Sequence, residues 1–529
     1  MENPDFEVSD SGICGGAPIT HDEFIPFPPP HTFHHVDASH LPLAAGSFPS
    51  GGGDADQVEG LCILESDPLA HLSYQQNDII LYQRVAQIAS SFQSGAIEDP
   101  PQSMLPVVAA LSVEDLVRIA ASEFVGSHSN HDVMSSGAFH DVTLSEEESE
   151  SVELTQILLE AAENVADRKF DTAGALLQRC HGRSSPAGNP IQRLVFYYSR
   201  ALTVRIDRET GRIASSRDVV REQSSDLYKA VMTPSIQLAE FHRRIPFSQV
   251  AQFAGIQAIV EHLEGSRCIH VVDLAIKNGQ QWTILMQALA SRPTRRRVQR
   301  LKITAVSTVG EQRIEQMGNR LVGFAEGLGL PCVFEAVVVP DLAHLSRAHV
   351  RIESGQSVAV MAEYVFNTLA EPLDRLDSLI RAVRSLKPCV VVVGEVEGNM
   401  NSPMFVNRFV ESLFYASAFF DCMEDCMGRD EPTRKYGEAT LFGESSKIVS
   451  AIDGRERIVR NMKVDVWRTY FRRMGMVEEE ISPSSLYQAN LVARKVPCWK
   501  PCTVKMNGKG LMIGWKGTKI NSVTAWSFT

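Results

Sequence analysis

Hydrophobic residues change their spacing along the chain, and the change separates a helical part from a mixed part. Between residues 152 and 265, apolar side chains recur at every third or fourth position, as Leu154, Ile157 and Leu158 do. This spacing lines up one face of a helix and predicts a helical cap. From Ile269 onward, short β-branched runs alternate with helical segments. That alternation predicts a parallel sheet with helices on both faces.

The mixed part contains five predicted strands and several predicted helices. The strands are Cys268–Leu274, Leu301–Val306, Cys332–Val339, Ser357–Tyr364 and Cys389–Glu395. The helices include Gly310–Gly327, Pro372–Ser385, Asn407–Phe420 and a long helical region at Ile448–Met474. Two or three strands follow Cys502, and Asn507-Gly508 predicts a hairpin turn between them. The predicted fold is therefore α/β and methyltransferase-like, with a Rossmann-type, mostly parallel sheet that ends in antiparallel strands.

Residues 1–150 differ from the rest in composition. Residues 1 to about 70 are rich in Gly, Pro, Ser, Asp and His, and such a segment buries too little apolar surface to offset its chain entropy. We therefore predict a mostly disordered acidic arm that ends near residue 150. It contains two amphipathic segments, Ile79–Phe92 and Leu116–Phe124. These could fold as helices onto a partner or pack on the main domain, and the sequence leaves both alternatives open.

Composition and charge exclude several classes of protein. The net charge of −13 argues against a protein that coats DNA by electrostatic attraction alone. No run of about 18 or more apolar residues is present, so we expect no membrane span, and the first residues lack the features of a secretory signal. The ten cysteines are typical of reduced core thiols in an intracellular protein. We interpret the C-x3-C pairs Cys422/Cys426 and Cys498/Cys502 as core cysteines, because zinc knuckles commonly use a two-residue gap.

The stretch IHVVDLAIKNGQQW, residues 269–282, predicts a strand, a turn and the start of a helix. This unit opens nucleotide-binding α/β folds, in which glycines after the first strand let the backbone approach the ligand. Here only Gly279 stands in the turn, and Ser307 and Thr308 follow the second strand where an acid is expected. We therefore expect no bound cofactor, and we expect Asp273 to hold the turn through hydrogen bonds. Retained binding of a nucleotide or methyl donor is the alternative.

Two charged clusters have both a functional and a structural interpretation. Glu395 and Glu397 follow a buried strand and could bind a metal or form an acid/base pair. Because no histidine stands nearby in the sequence, we favour hydrogen bonds within the fold and expect neither a metal nor catalysis. The second cluster, Arg295, Arg296 and Arg297, could form a nuclear import signal or contact nucleic acid. A solvated loop is the alternative.

Several sequence blocks within residues 152–529 resemble the GRAS family of plant transcriptional regulators. The stretch IHVVDLAIKNGQQW is similar to the family's VHIID block, and the apolar regions that flank it resemble its two leucine-rich regions. The stretch from Pro388 resembles its PFYRE block, and the C-terminal part resembles its SAW block, with Thr524 in place of a serine. The residues that carry these blocks are Asp273, Gly279, Gln281, Trp282, Glu395, Glu397, Asn399, Arg408, Phe409, Trp467, Gly475, Trp515 and Trp526.

The resemblance implies a GRAS domain at residues 151–529, with a helical cap at 151–265 and an α/β core at 266–529. It implies non-enzymatic regulation of transcription in the nucleus, through other transcription factors and GRAS proteins, as a homo- or heterodimer. Parts of the chain resemble the DELLA branch, which represses gibberellin responses, although no DELLA or TVHYNP sequence is present. Gibberellin-related and symbiosis signalling are the candidate pathways. The alternatives are a sequence-specific DNA-binding transcription factor and a small-molecule-binding or methyltransferase-like enzyme.

Overall fold

The computed structural model describes most of the chain beyond residue 110. The described residues are 111–128, 144–213, 236–308, 310–370, 372–428, 431–443, 446–447, 450, 457 and 459–529. The predicted disordered arm, apart from its C-terminal end, and the amphipathic segment Ile79–Phe92 lie outside these residues. Within them, no helix is both long enough and apolar enough to cross a membrane.

Among the described residues, four helices up to Glu209 make up the cap ahead of the sheet. They are α1 Val113–His128, α2 Glu146–Ala166, α3 Phe170–Arg183 and α4 Pro190–Glu209. Local sequence fixes two of their starts, because a polar side chain satisfies the free N–H groups of the first turn. Ser145 and Glu148 form such a capping box before α2, and Asn189 and Gln192 form one before α4. α2 lies centrally and contacts α1, α3 and α4.

A nine-stranded sheet forms the centre of the molecule. Its strands are β1 Cys268–Asp273, β2 Arg300–Ser307, β3 Cys332–Val338, β4 Ser357–Glu363, β5 Val390–Val396, β6 Met476–Glu479, β7 Cys502–Asn507, β8 Gly510–Trp515 and β9 Thr518–Phe528. They lie in the order β3-β2-β1-β4-β5-β9-β8-β7, and β6 also pairs with β9. β1 to β5 pair in parallel, whereas every pair that involves β6 to β9 is antiparallel. The methyltransferase-like fold and its five predicted central strands are confirmed.

Helices cover both faces of this sheet. They are α5 Ile236–Arg244, α6 Pro246–His262, α7 Gln280–Ala290, α8 Glu311–Gly327, α9 Leu373–Ser385, α10 Phe405–Cys426, α11 Pro432–Glu438, α12 Val464–Arg473 and α13 Pro483–Ala493. Along β5, Val390 and Val392 belong to one apolar core, and Val391 and Val393 belong to a second core. Successive side chains of a strand point to opposite faces. A strand that is buried on both faces therefore needs an unbroken apolar run.

The amphipathic segment near Leu116 packs on the core as part of α1. Val117 and Ala120 are fully buried. The backbone N–H of Val113 donates a hydrogen bond to Asp421 Oδ1 at 3.1 Å, and the Glu114 carboxylate accepts one from the Thr518 hydroxyl in β9. Of the two alternatives that the sequence leaves open for this segment, the structure therefore shows packing on the main domain.

The prediction of one long helical region at Ile448–Met474 is wrong. Residues 459–463 are not helical, and α12 begins only at Val464. The backbone N–H of Arg460 donates to the carbonyl of Asn367 at 2.8 Å. The N–H of Val464 donates to Glu397 Oε2 at 2.8 Å. These bonds to distant parts of the chain replace the local bonds that a continuous helix would make.

The prediction of reduced thiols throughout is also wrong for one pair of cysteines. Cys426 at the end of α10 and Cys498 after α13 form a disulfide, with their Cα atoms 5.4 Å apart. They are 72 residues apart in the sequence. Only the packing of α10 against the C-terminal segment brings them together, and residue spacing therefore does not reveal the bond.

Candidate functional site

The candidate site lies at the carboxyl ends of β1, β4 and β5. Open α/β sheets bind their ligands at this edge, beside the point where the strand order reverses. Three acidic residues stand there, since Asp273 ends β1, Glu363 ends β4 and Glu395 lies near the end of β5. All three are buried. Their hydrogen bonds decide whether the site is available to a ligand.

Asp273 uses both carboxylate oxygens within the turn that follows β1. Its Oδ2 accepts hydrogen bonds from Gln281 Nε2 at 3.0 Å and from Trp282 Nε1 at 2.9 Å. Its Oδ1 accepts one from the backbone N–H of Ala275 at 3.1 Å. Burial raises the pKa of Asp273 to about 6, although these hydrogen bonds act to lower it. The carboxylate therefore joins strand, turn and helix and does not point toward a ligand.

Two further residues of the turn, Gly279 and Lys277, adopt a defined conformation and contact neighbouring elements. Gly279 adopts the left-handed conformation, with φ of 71°, directly before α7. A Cβ at this position would lie 2.9 Å from Met317 Sδ, so glycine is needed for both conformation and packing. The Lys277 ammonium lies 4.0 Å from the centre of the Tyr364 ring and 4.0 Å from Glu363 Oε2. The Lys277 side chain therefore lies against the end of β4.

Three residues of this cluster were not predicted as site residues: Lys277, Glu363 and Tyr364. Glu363 accepts a hydrogen bond from Gln252 Nε2 at 3.2 Å, and the Tyr364 hydroxyl accepts one from Asn521 Nδ2 at 2.7 Å. A signal was present in the sequence, because β4 ends in an acid just as β1 does. Parallel neighbouring strands place such ends side by side, so the pairing of β1 with β4 would have identified Glu363.

Glu395 is buried, and one of its two carboxyl oxygens accepts hydrogen bonds. Its Oε1 accepts hydrogen bonds from the backbone N–H groups of Val365 at 3.1 Å and Phe366 at 2.9 Å. Its Oε2 is buried and makes no hydrogen bond with any other residue that the structure describes. Burial raises the pKa of Glu395 to about 8. The group is therefore largely protonated at neutral pH and holds the backbone after β4.

We predict that Glu395→Gln makes stability less dependent on pH. The folded chain binds the Glu395 proton more tightly than the unfolded chain, whose ordinary pKa is 4.5. The resulting stabilisation is complete below the ordinary pKa and is lost as the pH rises through about 8. Glutamine keeps the accepting oxygen and cannot ionise. In urea unfolding, the free energy of unfolding of the variant relative to that of the wild type should therefore rise by a few kcal/mol between pH 5 and about 9.

The matched control for this prediction is Asp374→Asn, an exposed acid at the start of α9. Because this side chain is exposed, the variant should unfold within about 1 kcal/mol of the wild type at pH 7. Equal pH dependence of the wild type and Glu395→Gln would contradict the assignment of a raised pKa to Glu395.

The remaining residues of the PFYRE-like block lie beside this cluster and stabilise the fold. Glu397 accepts the hydrogen bond from Val464 that starts α12. Asn399 is half-buried in the turn after β5. Arg408 is buried, and its Nη1 donates to the backbone carbonyls of Ser402 at 2.9 Å and of Pro403 at 2.8 Å. Phe409 is fully buried and contacts Tyr198 of the cap edge to face, with ring centres 5.6 Å apart.

The residues of the SAW-like block are spread over both cores. Trp515 is in the core on the cap side, and its Nε1 donates to Asp421 Oδ2 at 2.9 Å. Trp467 and Trp526 are in the opposite core, where both lie against Phe471. Gly475 follows α12 with φ of 77°. These four positions lie in different parts of the fold and do not form one site.

The profile of the GRAS domain family matches residues 154–527. The chain belongs to the GRAS domain family. Similar proteins include DELLA protein GAI1 of Vitis vinifera, 26% identical over 81% of this chain and 71% of that protein. Scarecrow-like protein 23 of Arabidopsis thaliana is 28% identical, over 73% of this chain and 93% of that protein. The crystal structure of SCL7 in Oryza sativa is 28% identical with a TM-score of 0.60, and the match covers 70% of this chain and 99% of that chain.

Membership confirms the predicted family and the broad function. The chain is a plant transcriptional regulator of the GRAS family, consistent with its DELLA-like branch. Its DELLA and Scarecrow-like relatives are regulatory proteins and not known enzymes. The relatives also include GRAS family protein RAD1 of Medicago truncatula, 28% identical over 71% of this chain and 73% of that protein.

The basic cluster of this GRAS domain lies at the opposite edge of the sheet, before the start of β2. Arg295, Arg296 and Arg297 are all exposed. Arg296 pairs with Glu264, and Arg297 Nη2 donates to the carbonyl of Gly329 at 3.0 Å. Arg295 makes no side-chain hydrogen bond or ion pair with another described residue. The cluster is therefore a surface feature that is separate from the candidate site.

Proposed function

We propose that this GRAS protein regulates transcription in the nucleus without catalysing a reaction, by binding other transcription factors and GRAS proteins. In this proposal the α/β core is a rigid scaffold, and the chain acts as a homo- or heterodimer. Gibberellin-related and symbiosis signalling are the pathways to test first. The relatives named as DELLA proteins motivate the choice of gibberellin-related signalling.

One observation carries the non-enzymatic part of the proposal: the polar side chains at the carboxyl ends of β1 and β4 bind one another and the turn after β1. A nucleotide or methyl donor needs a glycine-rich turn after β1 and an acid at the end of β2 to bind its hydroxyl groups. Here Ser307 ends β2, and Asp273 at the end of β1 accepts hydrogen bonds from Gln281 and Trp282. Lys277 lies over the Tyr364 ring. The residues present therefore do not fit such a ligand.

We expect the full chain, tethered to a reporter promoter through a foreign DNA-binding module, to change transcription of that reporter in plant cells. The tether supplies the contact with DNA, so a chain that works through protein partners should retain its effect. For the same reason, the triple variant Arg295→Ala, Arg296→Ala and Arg297→Ala should match the wild type when both carry a foreign import signal. The module alone is the baseline.

Three outcomes would count against this function. No change in transcription, alone or with co-expressed GRAS proteins, would contradict regulation through partners. Salt-dependent, sequence-specific binding of naked DNA that is lost in the triple arginine variant would favour the DNA-binding alternative. Binding of S-adenosylmethionine in calorimetry would favour the enzyme alternative instead.

A further inference from the structure

Four cysteines converge where α10 meets the C-terminal strands. Cys422 and Cys426 lie one turn apart on α10, and their Sγ atoms are 3.8 Å apart. Cys498 is bonded to Cys426. Cys502 begins β7 and is paired with Trp515 of β8. The indole of Trp515 in turn donates to the carboxylate of Asp421, the residue before Cys422. The two C-x3-C pairs therefore form one cluster in the folded chain.

The surroundings of this cluster are apolar, with the Lys516 ammonium and the carboxylates of Asp421 and Asp425 beside it. Cys422 is fully buried, and Cys426, Cys498 and Cys502 pack against the same apolar core. Burial raises the pKa of the Cys422 thiol, and the nearby Lys516 ammonium acts to lower it. Lys516 Nζ lies 2.6 Å from Asp421 Oδ2. Burial also raises the pKa of Cys502 to about 12. A deprotonated sulfur is costly in these surroundings unless a cation binds it.

With Cys426 and Cys498 bonded to each other, no group of three or more His, Cys, Asp or Glu side chains within the described ranges is arranged to hold a metal. Reduction of that bond changes the set of donors. A thiol reductant supplies two electrons and two protons, and both cysteines become thiols. Four thiols from two chain segments are then available, and Cys502 lies close enough to Cys422 to act on the pKa of its thiol.

We propose that the reduced cluster of Cys422, Cys426, Cys498 and Cys502 binds one zinc ion. Structural zinc sites are tetrahedral with Zn–S distances of about 2.3 Å, which places neighbouring sulfurs about 3.8 Å apart. Cys422 and Cys426 already have that separation. The four thiols release four protons as the zinc–sulfur bonds form. The proposal does not depend on the proposed regulatory function.

This zinc ion would hold the end of α10 to the segment between α13 and β7. The disulfide makes the same connection through two of the four sulfurs, so the two states exclude each other. A three-residue gap argued against zinc when each pair was considered alone. The folded chain changes that conclusion, because each pair supplies only half of the ligands.

The test uses the full chain, purified with a thiol reductant and kept away from oxygen. Metal analysis should find one equivalent of zinc. Replacement of zinc by Co²⁺ should give thiolate-to-cobalt charge-transfer absorption and strong d–d bands of a tetrahedral sulfur site. The Cys502→Ser variant should bind Co²⁺ more weakly by at least the roughly 10- to 100-fold typical of changes around a metal site. Cys332→Ser, which alters a free cysteine on β3, should bind as the wild type does.

The result that would overturn the proposal is a reduced, folded chain that binds neither zinc nor Co²⁺. Circular dichroism establishes folding in the same sample, so loss of structure cannot be mistaken for loss of the site. A Cys502→Ser chain with an unchanged cobalt spectrum would equally exclude the four-sulfur set. Equal zinc content in the oxidised and reduced chains would show that the metal is bound elsewhere.

Discussion

Replacing Arg193 with alanine should lower the free energy of unfolding by about 3–5 kcal/mol, because it leaves a buried carboxylate without its partner. The Arg193 side chain is fully buried. Its Nε lies 3.0 Å from Glu438 Oε1, and its Nη1 lies 3.0 Å from Glu424 Oε2. Glu438 is fully buried as well, with Arg434 Nε 3.6 Å from the same oxygen. The second arginine is too distant to replace the lost hydrogen bond fully.

The effect is large because this cluster joins the cap to the core. Arg193 is on α4, Glu424 is on α10, and Glu438 ends α11. Urea unfolding of the purified chain at neutral pH measures the loss. Arg200→Ala is the matched control, since Arg200 is exposed on the same helix and stacks on Phe196; it should cost less than about 1 kcal/mol. Equal losses in the two variants would show that the buried cluster contributes no more than a surface contact.

Replacing Asp273 with alanine should cost about 3 kcal/mol or more at pH 7, because three donors lose their acceptor. The donors are the Gln281 amide, the Trp282 indole and the backbone N–H of Ala275. Gln281 and Trp282 are buried within the structure. Water cannot reach them without opening the turn. Urea unfolding followed by circular dichroism measures the loss.

Two further variants separate the hydrogen bonds of Asp273 from its charge. Asp273→Asn keeps one accepting oxygen and should therefore lie between the wild type and the alanine variant. Glu315→Ala, an exposed change on α8, should stay within about 0.5 kcal/mol of the wild type. If Asp273→Ala were no less stable than Glu315→Ala, the carboxylate would not be what holds the turn.

Periodicity predicted the central strands because each strand carries its own signal. The run Val390–Val393 is apolar at every position, and burial on both faces requires that pattern. The same local rule failed at Ile448–Met474. There the turn before α12 is set by Asn367 and Glu397, which are far away in the sequence, and helical spacing alone does not detect such bonds.

Sequence reasoning recovered only part of the candidate site. Asp273 was identified because it ends an apolar strand in a motif of known geometry. Glu363 was missed, although it ends a strand in the same way. Its importance comes from the parallel pairing of β1 with β4, and the order of strands in a sheet does not follow from their order in the chain. Lys277 was not predicted as a site residue because a lysine in a turn is ordinarily solvated.

The sequence alone determined the family, the type of most elements and the absence of a glycine-rich cofactor turn, because these depend on residues close together in the chain. Only the tertiary structure decided which side chains from distant parts of the sequence come into contact. Arg193 and Glu438 are 245 residues apart, and Cys426 and Cys498 are 72 apart. Contacts at such separations depend on the packing of whole helices and strands. Local spacing carries no record of that packing, and the folded chain supplies it.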